Sequence, residues 1–177
     1  MAKKFFSQDD LDRIADAVKE AESKTAGEIV PYFVEKSDEY EEAVWRGGAI
    51  AAFAVLTSLA LYHVFTETWG AFSPLEIILS AIGAMGIAML AVHFVPAIKR
   101  FFAGDELIEQ MVAQRAAQVF IAEEVFRTRD RTGILIFLSL LEHKVLVVGD
   151  AGINTKVDQT EWQDVVARIV RGIDHGH

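Results

Sequence analysis

Three acidic residues close to glycines are the best candidates for chemistry in this chain: Glu28, Asp130 and Asp150. Carboxylate oxygens are the ligands that Ca²⁺ and Mg²⁺ prefer in proteins. Each of the three lies at the end of a predicted strand, where a loop can present its side chain. The residues therefore predict a divalent-cation site, and no catalytic residue is predicted. The structural alternative is that acids in turns only cap helices and hydrogen-bond to turn backbone.

Three apolar runs predict the strands that bring these carboxylates together: residues 28–34, 133–140 and 144–148. Pro31 cannot donate a ladder hydrogen bond, so the first strand is placed at an edge. The first two strands should be parallel, because a long crossover separates them, and the third should be antiparallel to the second. With this topology three segments meet at one end of the sheet: residues 25–28, 129–133 and 149–152.

Amphipathic periodicity predicts helices on either side of the strands. Apolar residues recur at spacings of three and four in three segments, which end near residues 24, 126 and 173. A short acidic helix is also predicted over residues 37–45. The order of elements predicts an α/β fold with a small mixed sheet covered by helices.

A segment without Lys or Arg, residues 47–98, interrupts this pattern. It contains two uncharged runs, 47–65 and 77–95, each about 29 Å long as a helix, close to the ~30 Å hydrocarbon thickness of a bilayer. We predict a transmembrane helical hairpin here, inserted into one discontinuous domain made of residues 1–46 and 99–177. A buried hairpin of a soluble protein is the disfavoured alternative, because globular helices are shorter and carry a polar face.

Basic residues predict the orientation of the hairpin. Arg46 precedes the first run and Lys99 and Arg100 follow the second, whereas the intervening turn has no base. The positive-inside rule then places both chain ends and the domain in the cytoplasm, as a multi-pass protein of the cell membrane. The carboxylate end of the sheet should face away from the bilayer. His63 and His93 are expected at opposite interfaces rather than as a pair.

Composition excludes several classes of function. The 177 residues carry 26 acidic against 17 basic side chains and a formal charge of −9, which argues against nucleic acid as a partner. The chain has no Cys, which excludes disulfides, thiolate metal sites and a Cys nucleophile. Small residues spaced four positions apart in the two runs favour packing of the helices on each other. Contact with a membrane-protein partner or a second copy is the alternative.

Three stretches resemble the short, membrane-anchored branch of the TPM domain family: SKTAGEIVPYFV at 23–34, FRTRDRTGILIFLS at 126–139 and KVLVVGDAGINTKV at 144–157. The resemblance implies an α/β sandwich. It also implies divalent-cation binding, acid phosphatase activity in some members, and assembly or repair of membrane complexes in others. Relatives with this layout usually continue past the last helix, so a site contributed by a longer tail would be missing here.

The residues and the resemblance together favour a membrane-anchored cytosolic module that binds divalent cations, partner proteins or both. The alternative is a metal-dependent, acid-phosphatase-like hydrolase. It is less favoured because no nucleophile or general base stands out by spacing. A third hypothesis is an assembly factor that acts through its hairpin. Three arginines beside Asp130 could bind a phosphate, although such a run more often forms a solvated surface: Arg127, Arg129 and Arg131.

Overall fold

The computed structural model of the chain describes residues 7–23, 27–66 and 72–155, which form six helices and three strands. The helices are α1 (Gln8–Ser23), α2 (Glu41–Thr66), α3 (Pro74–Phe94), α4 (Pro96–Ala103), α5 (Asp105–Ala122) and α6 (Ala151–Asn154). The strands are β1 (Glu28–Val34), β2 (Gly133–Ser139) and β3 (Lys144–Gly149). The described part of the chain is therefore mixed α/β, as predicted.

The three strands form one sheet in the order β1-β2-β3. Strand β1 is parallel to β2, with Glu28 opposite Gly133, and β3 is antiparallel to β2, with Gly149 opposite Ile134. Both predicted orientations are confirmed. Among the described strands, β1 pairs with β2 alone, so it lies at an edge of the sheet, where a proline is tolerated.

The core of the sheet lies on β2, whose sequence GILIFLS is apolar at nearly every position. Leu135 and Phe137 are fully buried, and the ring of Phe137 stacks on Tyr32 of β1 at 6.4 Å. A continuous apolar run suits a central strand covered on both faces.

The predicted hairpin is formed by α2 and α3. Helix α3 begins with a capping box between Ser73 and Glu76, with Pro74 in its first turn. The two helices approach closely at two buried glycines of α2. A Cβ at Gly47 would lie 2.6 Å from Val92, and one at Gly48 would lie 2.7 Å from Met89. Both helices are long and apolar enough to cross a bilayer.

Some element boundaries differ from the predicted ones. The predicted acidic helix over 37–45 is not a separate element, because α2 starts at Glu41 and runs on without a break. Helix α4 was not predicted; it forms because Pro96 cannot continue α3 but is well suited to the first turn of a new helix. Helix α5 ends at Ala122, before the predicted end at residue 126. The helix predicted around residues 162–173 lies outside the described residues.

The chain divides into two compact units. One consists of Met1–Asp38 together with Glu109–His177 and contains the sheet. The other, Glu39–Ile108, contains the hairpin and α4. In sequence, the hairpin unit therefore lies within the connection between the parallel strands β1 and β2.

Candidate functional site

The register of the sheet brings the described parts of the three predicted segments to one end. Glu28 begins β1 opposite Gly133 at the start of β2, and β3 ends beside them at Gly149. Asp130 lies in the loop before β2, and Asp150 directly follows β3. Glu28 and Asp130 are exposed, whereas Asp150 is only 5% exposed. The three carboxylates thus belong to the same end of the sheet, but their surroundings differ.

The side chain of Asp150 is bound by an arginine. Nε of Arg131 donates to one carboxylate oxygen at 3.0 Å, and a terminal nitrogen of the same guanidinium donates to the other at 3.1 Å. This is the bidentate geometry in which arginine binds carboxylates most strongly. Asp150 also caps α6, since its side chain accepts from the N–H of Ala151 at 2.7 Å.

Backbone contacts fix the loop that carries Arg131. The N–H of Gly152 donates to the carbonyl oxygen of Arg131 at 2.8 Å, and the N–H of Asp150 donates to that of Gly133 at 2.9 Å. A Cβ at Gly152 would clash with the backbone of the loop, including the Arg131 carbonyl oxygen at 2.6 Å. Only glycine therefore permits this approach, which places the guanidinium beside the carboxylate.

The ion pair changes the titration of both partners. The hydrogen bonds from Arg131 lower the pKa of Asp150 below its ordinary value. The Ala151 N–H and the charge of Arg131 act in the same direction, whereas burial opposes them. The same contacts raise the pKa of Arg131. Both groups are therefore fully charged at neutral pH.

A divalent cation bound to Asp150 would compete with Arg131. Both oxygens of Asp150 already accept from the guanidinium, and one of them also accepts from the Ala151 N–H, so little of the carboxylate is left for a metal ion. Over residues 7–23, 27–66 and 72–155, no three His, Asp or Glu side chains are grouped closely enough to hold a metal. The exposed carboxylates of Glu28 and Asp130 remain the other candidate ligands. The cation site stays a prediction.

Two of the three arginines of the loop pair with acids. Arg127 forms an ion pair with Glu124, and Arg131 forms the pair with Asp150. Arg131 is nevertheless 62% exposed along its side chain, so its outer face reaches solvent. Phosphate binding by this run would compete with these carboxylates.

A second polar cluster, which the sequence did not predict, lies at the opposite end of the sheet. The hydroxyl of Ser139 donates to the buried carboxylate of Glu142, and the hydroxyl of Ser37 donates to Ser139 at 3.0 Å. The N–H of Ser37 donates to the same carboxylate at 2.7 Å. Ser37 is far from the other two in sequence, so no local pattern could have found the cluster. We call it the Ser37–Glu142 clamp.

The clamp ties the segment that leaves β1 to the turn between β2 and β3. Two backbone hydrogen bonds run alongside it, from Leu140 to Val34 at 3.1 Å and from Leu141 to Glu35 at 2.9 Å. Ser139 is 1% exposed, so its hydroxyl does not meet a substrate from solvent in this conformation. The cluster therefore acts as a structural connection.

Comparison with known proteins adds no family: no family model, curated protein or solved structure matches the chain. Its class rests on its own structure. That structure combines a mixed α/β unit, with an ion pair at one sheet end, and a unit with two apolar helices long enough to cross a membrane.

Proposed function

We propose that this chain is a TPM-like module anchored in the cell membrane by the α2–α3 hairpin, with both chain ends and the sheet on the cytoplasmic side. The observation that carries this proposal is the outer surface of the hairpin, where large apolar side chains are exposed along both helices. Among them, Phe53 is 72% and Ile87 71% exposed. An apolar surface of this length is unfavourable in water and is matched by the hydrocarbon of a bilayer.

The distribution of charge supports the orientation. Arg46 and Lys99 both belong to the same end of the hairpin, since each donates a hydrogen bond across it: Arg46 to the carbonyl oxygen of Phe102 at 2.8 Å, and Lys99 to that of Glu39 at 3.5 Å. No Lys or Arg occurs between residues 47 and 98. Basic residues at one end only favour the cytoplasm for that end.

The orientation is tested by labelling intact cells with a membrane-impermeant maleimide, which the Cys-free chain makes simple. Leu75, exposed at the start of α3, and Arg127, exposed in the loop after α5, are each replaced by Cys. We expect Leu75→Cys to react from outside and Arg127→Cys to react only after permeabilisation. Labelling of Arg127→Cys in sealed cells would overturn the orientation.

For the sheet end we propose a non-catalytic role, in which Asp150, Asp130 and Glu28 bind Ca²⁺ or Mg²⁺ by exchange with Arg131, or in which the same charged end binds a partner protein. The exposed carboxylates beside a buried one support it, because hard cations prefer oxygen ligands. Exchange between the cation and Arg131 predicts the direction in which two variants change the affinity for the cation. Removing the guanidinium in Arg131→Ala should strengthen cation binding, whereas removing the charge in Asp150→Asn should abolish it.

The full chain in mild detergent is titrated with Ca²⁺ and Mg²⁺ by calorimetry. Asp16→Asn is the matched control, since it makes the same acid-to-amide change at an exposed position of α1. Absence of binding by both the wild type and Arg131→Ala would refute the cation proposal. Turnover of p-nitrophenyl phosphate that requires the metal and is lost in Asp130→Ala would instead favour the hydrolase alternative.

A further inference from the structure

Helix α4 (Pro96–Ala103) is too short to span a bilayer and follows directly on a helix that is long enough to do so. Two contacts define its position within the hairpin unit. Its residue Phe102 accepts the hydrogen bond from Arg46, and the Phe102 ring would lie 3.5 Å from a Cβ at Gly47. Gly47 in turn faces Val92, near the end of α3. Helix α4 therefore folds back against both hairpin helices instead of continuing the direction of α3.

These contacts also fix the depth of α4 along the hairpin. Arg46 is the last basic residue before the uncharged segment begins at Gly47. Helix α2 has 26 residues and is about 39 Å long, so its charged first turns extend beyond a hydrocarbon core of ~30 Å. A helix that contacts Arg46 and Gly47 lies at the boundary between the headgroups and the hydrocarbon.

One face of α4 is buried against the hairpin unit, and the other face is exposed. Lys99 and Ala103 are buried against the hairpin unit, and the Lys99 ammonium donates to the Glu39 carbonyl oxygen at 3.5 Å. The ring of Phe101 is 78% exposed. Two further exposed aromatics belong to the same end of the hairpin, Trp45 at 59% and Phe94 at 73%. Exposed aromatic rings at a helix end are typical of the membrane–water interface.

The geometry points to α4 as an interfacial helix that lies in the plane of the bilayer and inserts Phe101 at the level of the acyl-chain carbonyls. This inference rests on the proposed membrane anchoring and extends it, because it names a contact that sets how deeply the hairpin is seated. Charge contributes little to the contact, since the basic residues Arg46, Lys99 and Arg100 are accompanied by the exposed acids Glu41 and Glu42, which leaves a net charge of only +1 on these five residues. Insertion of apolar side chains is therefore the main source of binding.

The test measures depth in the full chain reconstituted into vesicles of phosphatidylcholine and phosphatidylglycerol. Single cysteines replace Phe101, Phe53 in the middle of α2, and Arg127 as the aqueous control, and each carries an environment-sensitive fluorophore. Spin-labelled lipids quench from the headgroup level or from the acyl-chain centre, and iodide quenches from water. We expect the label at 101 to lose most of its fluorescence with the headgroup-level quencher and little with the other two. The label at 53 should respond to the deep quencher, and that at 127 to iodide.

Each other result has a distinct meaning. Deep quenching at 53 with iodide quenching at 101 would overturn the interfacial helix and leave the anchor intact. Deep quenching at 101 would also overturn it, because α4 would then lie within the hydrocarbon. Protection of 101 from all three quenchers would assign Phe101 to a protein contact, such as a second copy, and would refute a lipid contact. Iodide quenching at both 53 and 101 would refute the anchoring itself.

Discussion

Gly152 of α6 lies against the loop that carries Arg131, so one added methyl group should loosen this end of the sheet. In Gly152→Ala the new Cβ would approach two backbone carbonyl oxygens, those of Asp130 and Arg131, with the latter at 2.6 Å. Neither oxygen can rotate away as a flexible side chain would. The loop and the first turn of α6 must therefore separate, which lengthens the 2.8 Å hydrogen bond from Gly152 to Arg131.

The cost follows from three contributions. Overpacking of a close contact typically costs about 1–3 kcal/mol. Loss of one backbone hydrogen bond costs about 0.5–1.5 kcal/mol. Replacing glycine by alanine in a helix returns about 0.5–1 kcal/mol. The net expectation is a destabilisation of about 0.5–4 kcal/mol, which corresponds to roughly 2- to 700-fold faster exchange of amides that exchange by opening of the sheet.

The assay is hydrogen exchange of the full chain in mild detergent, read by mass spectrometry on peptides that cover β2. The matched control is Ala151→Ser, which also adds one heavy atom, at the exposed neighbouring position. A surface change of this kind should alter stability by less than about 0.5 kcal/mol. If the β2 amides of Gly152→Ala exchange at a rate within about twofold of the wild-type rate, a margin that denatured-state effects alone can produce, the close approach of Gly152 to the loop that carries Arg131 is wrong.

Two further predictions concern the ion pair and the hairpin. Because the pKa of Asp150 is lowered in the folded chain, the contribution of this carboxylate to stability is complete above its unfolded pKa of about 3.9 and is lost as the pH falls through the folded value. The variant Asp150→Asn keeps the helix cap but cannot titrate, so the melting temperature should fall less steeply at acid pH than in the wild type. An unchanged fall in melting temperature at acid pH would contradict the pairing. Gly48→Ile should push α2 away from Met85 and Met89 and lower the free energy of unfolding in detergent by about 1–3 kcal/mol. Gly83→Ile is the control and should cost little, because a Cβ at Gly83 has nothing within 4 Å. Equal losses of stability in the two variants would argue against this packing.

The sheet could be predicted because its signals are local and strong. The apolar run of β2, the short turn to β3 and the long connection from β1 leave few arrangements of three strands. The placement of Glu28, Asp130 and Asp150 at one end followed from that topology. The arginine on Asp150 did not follow, because a separation of 19 residues across a turn gives no periodic signal. The contact depends on the left-handed backbone of Arg131 and the approach of Gly152.

Helix α4 could not be predicted for a different reason. Its basic residues, Lys99 and Arg100, have the pattern of a membrane flank, which is expected to be solvated. The structure instead buries Lys99 and exposes Phe101, because Lys99 finds a backbone carbonyl at the base of the hairpin. Eight residues are also too few for periodicity to distinguish a helix from a connecting loop.

The insertion of a hairpin unit between two paired strands raises the question of how β1 keeps its register. Loop closure is not the main difficulty, because each doubling of loop length costs only about 0.6 kcal/mol. The hairpin unit also holds its own ends together, through Lys99 to Glu39 and Arg46 to Phe102. The greater risk is slippage of β1, an edge strand that contains a proline and pairs with β2 alone among the described strands. The Ser37–Glu142 clamp meets this risk. It fixes the chain just after β1 and just before the hairpin unit begins at Glu39, so that the register of β1 is set independently of the inserted unit.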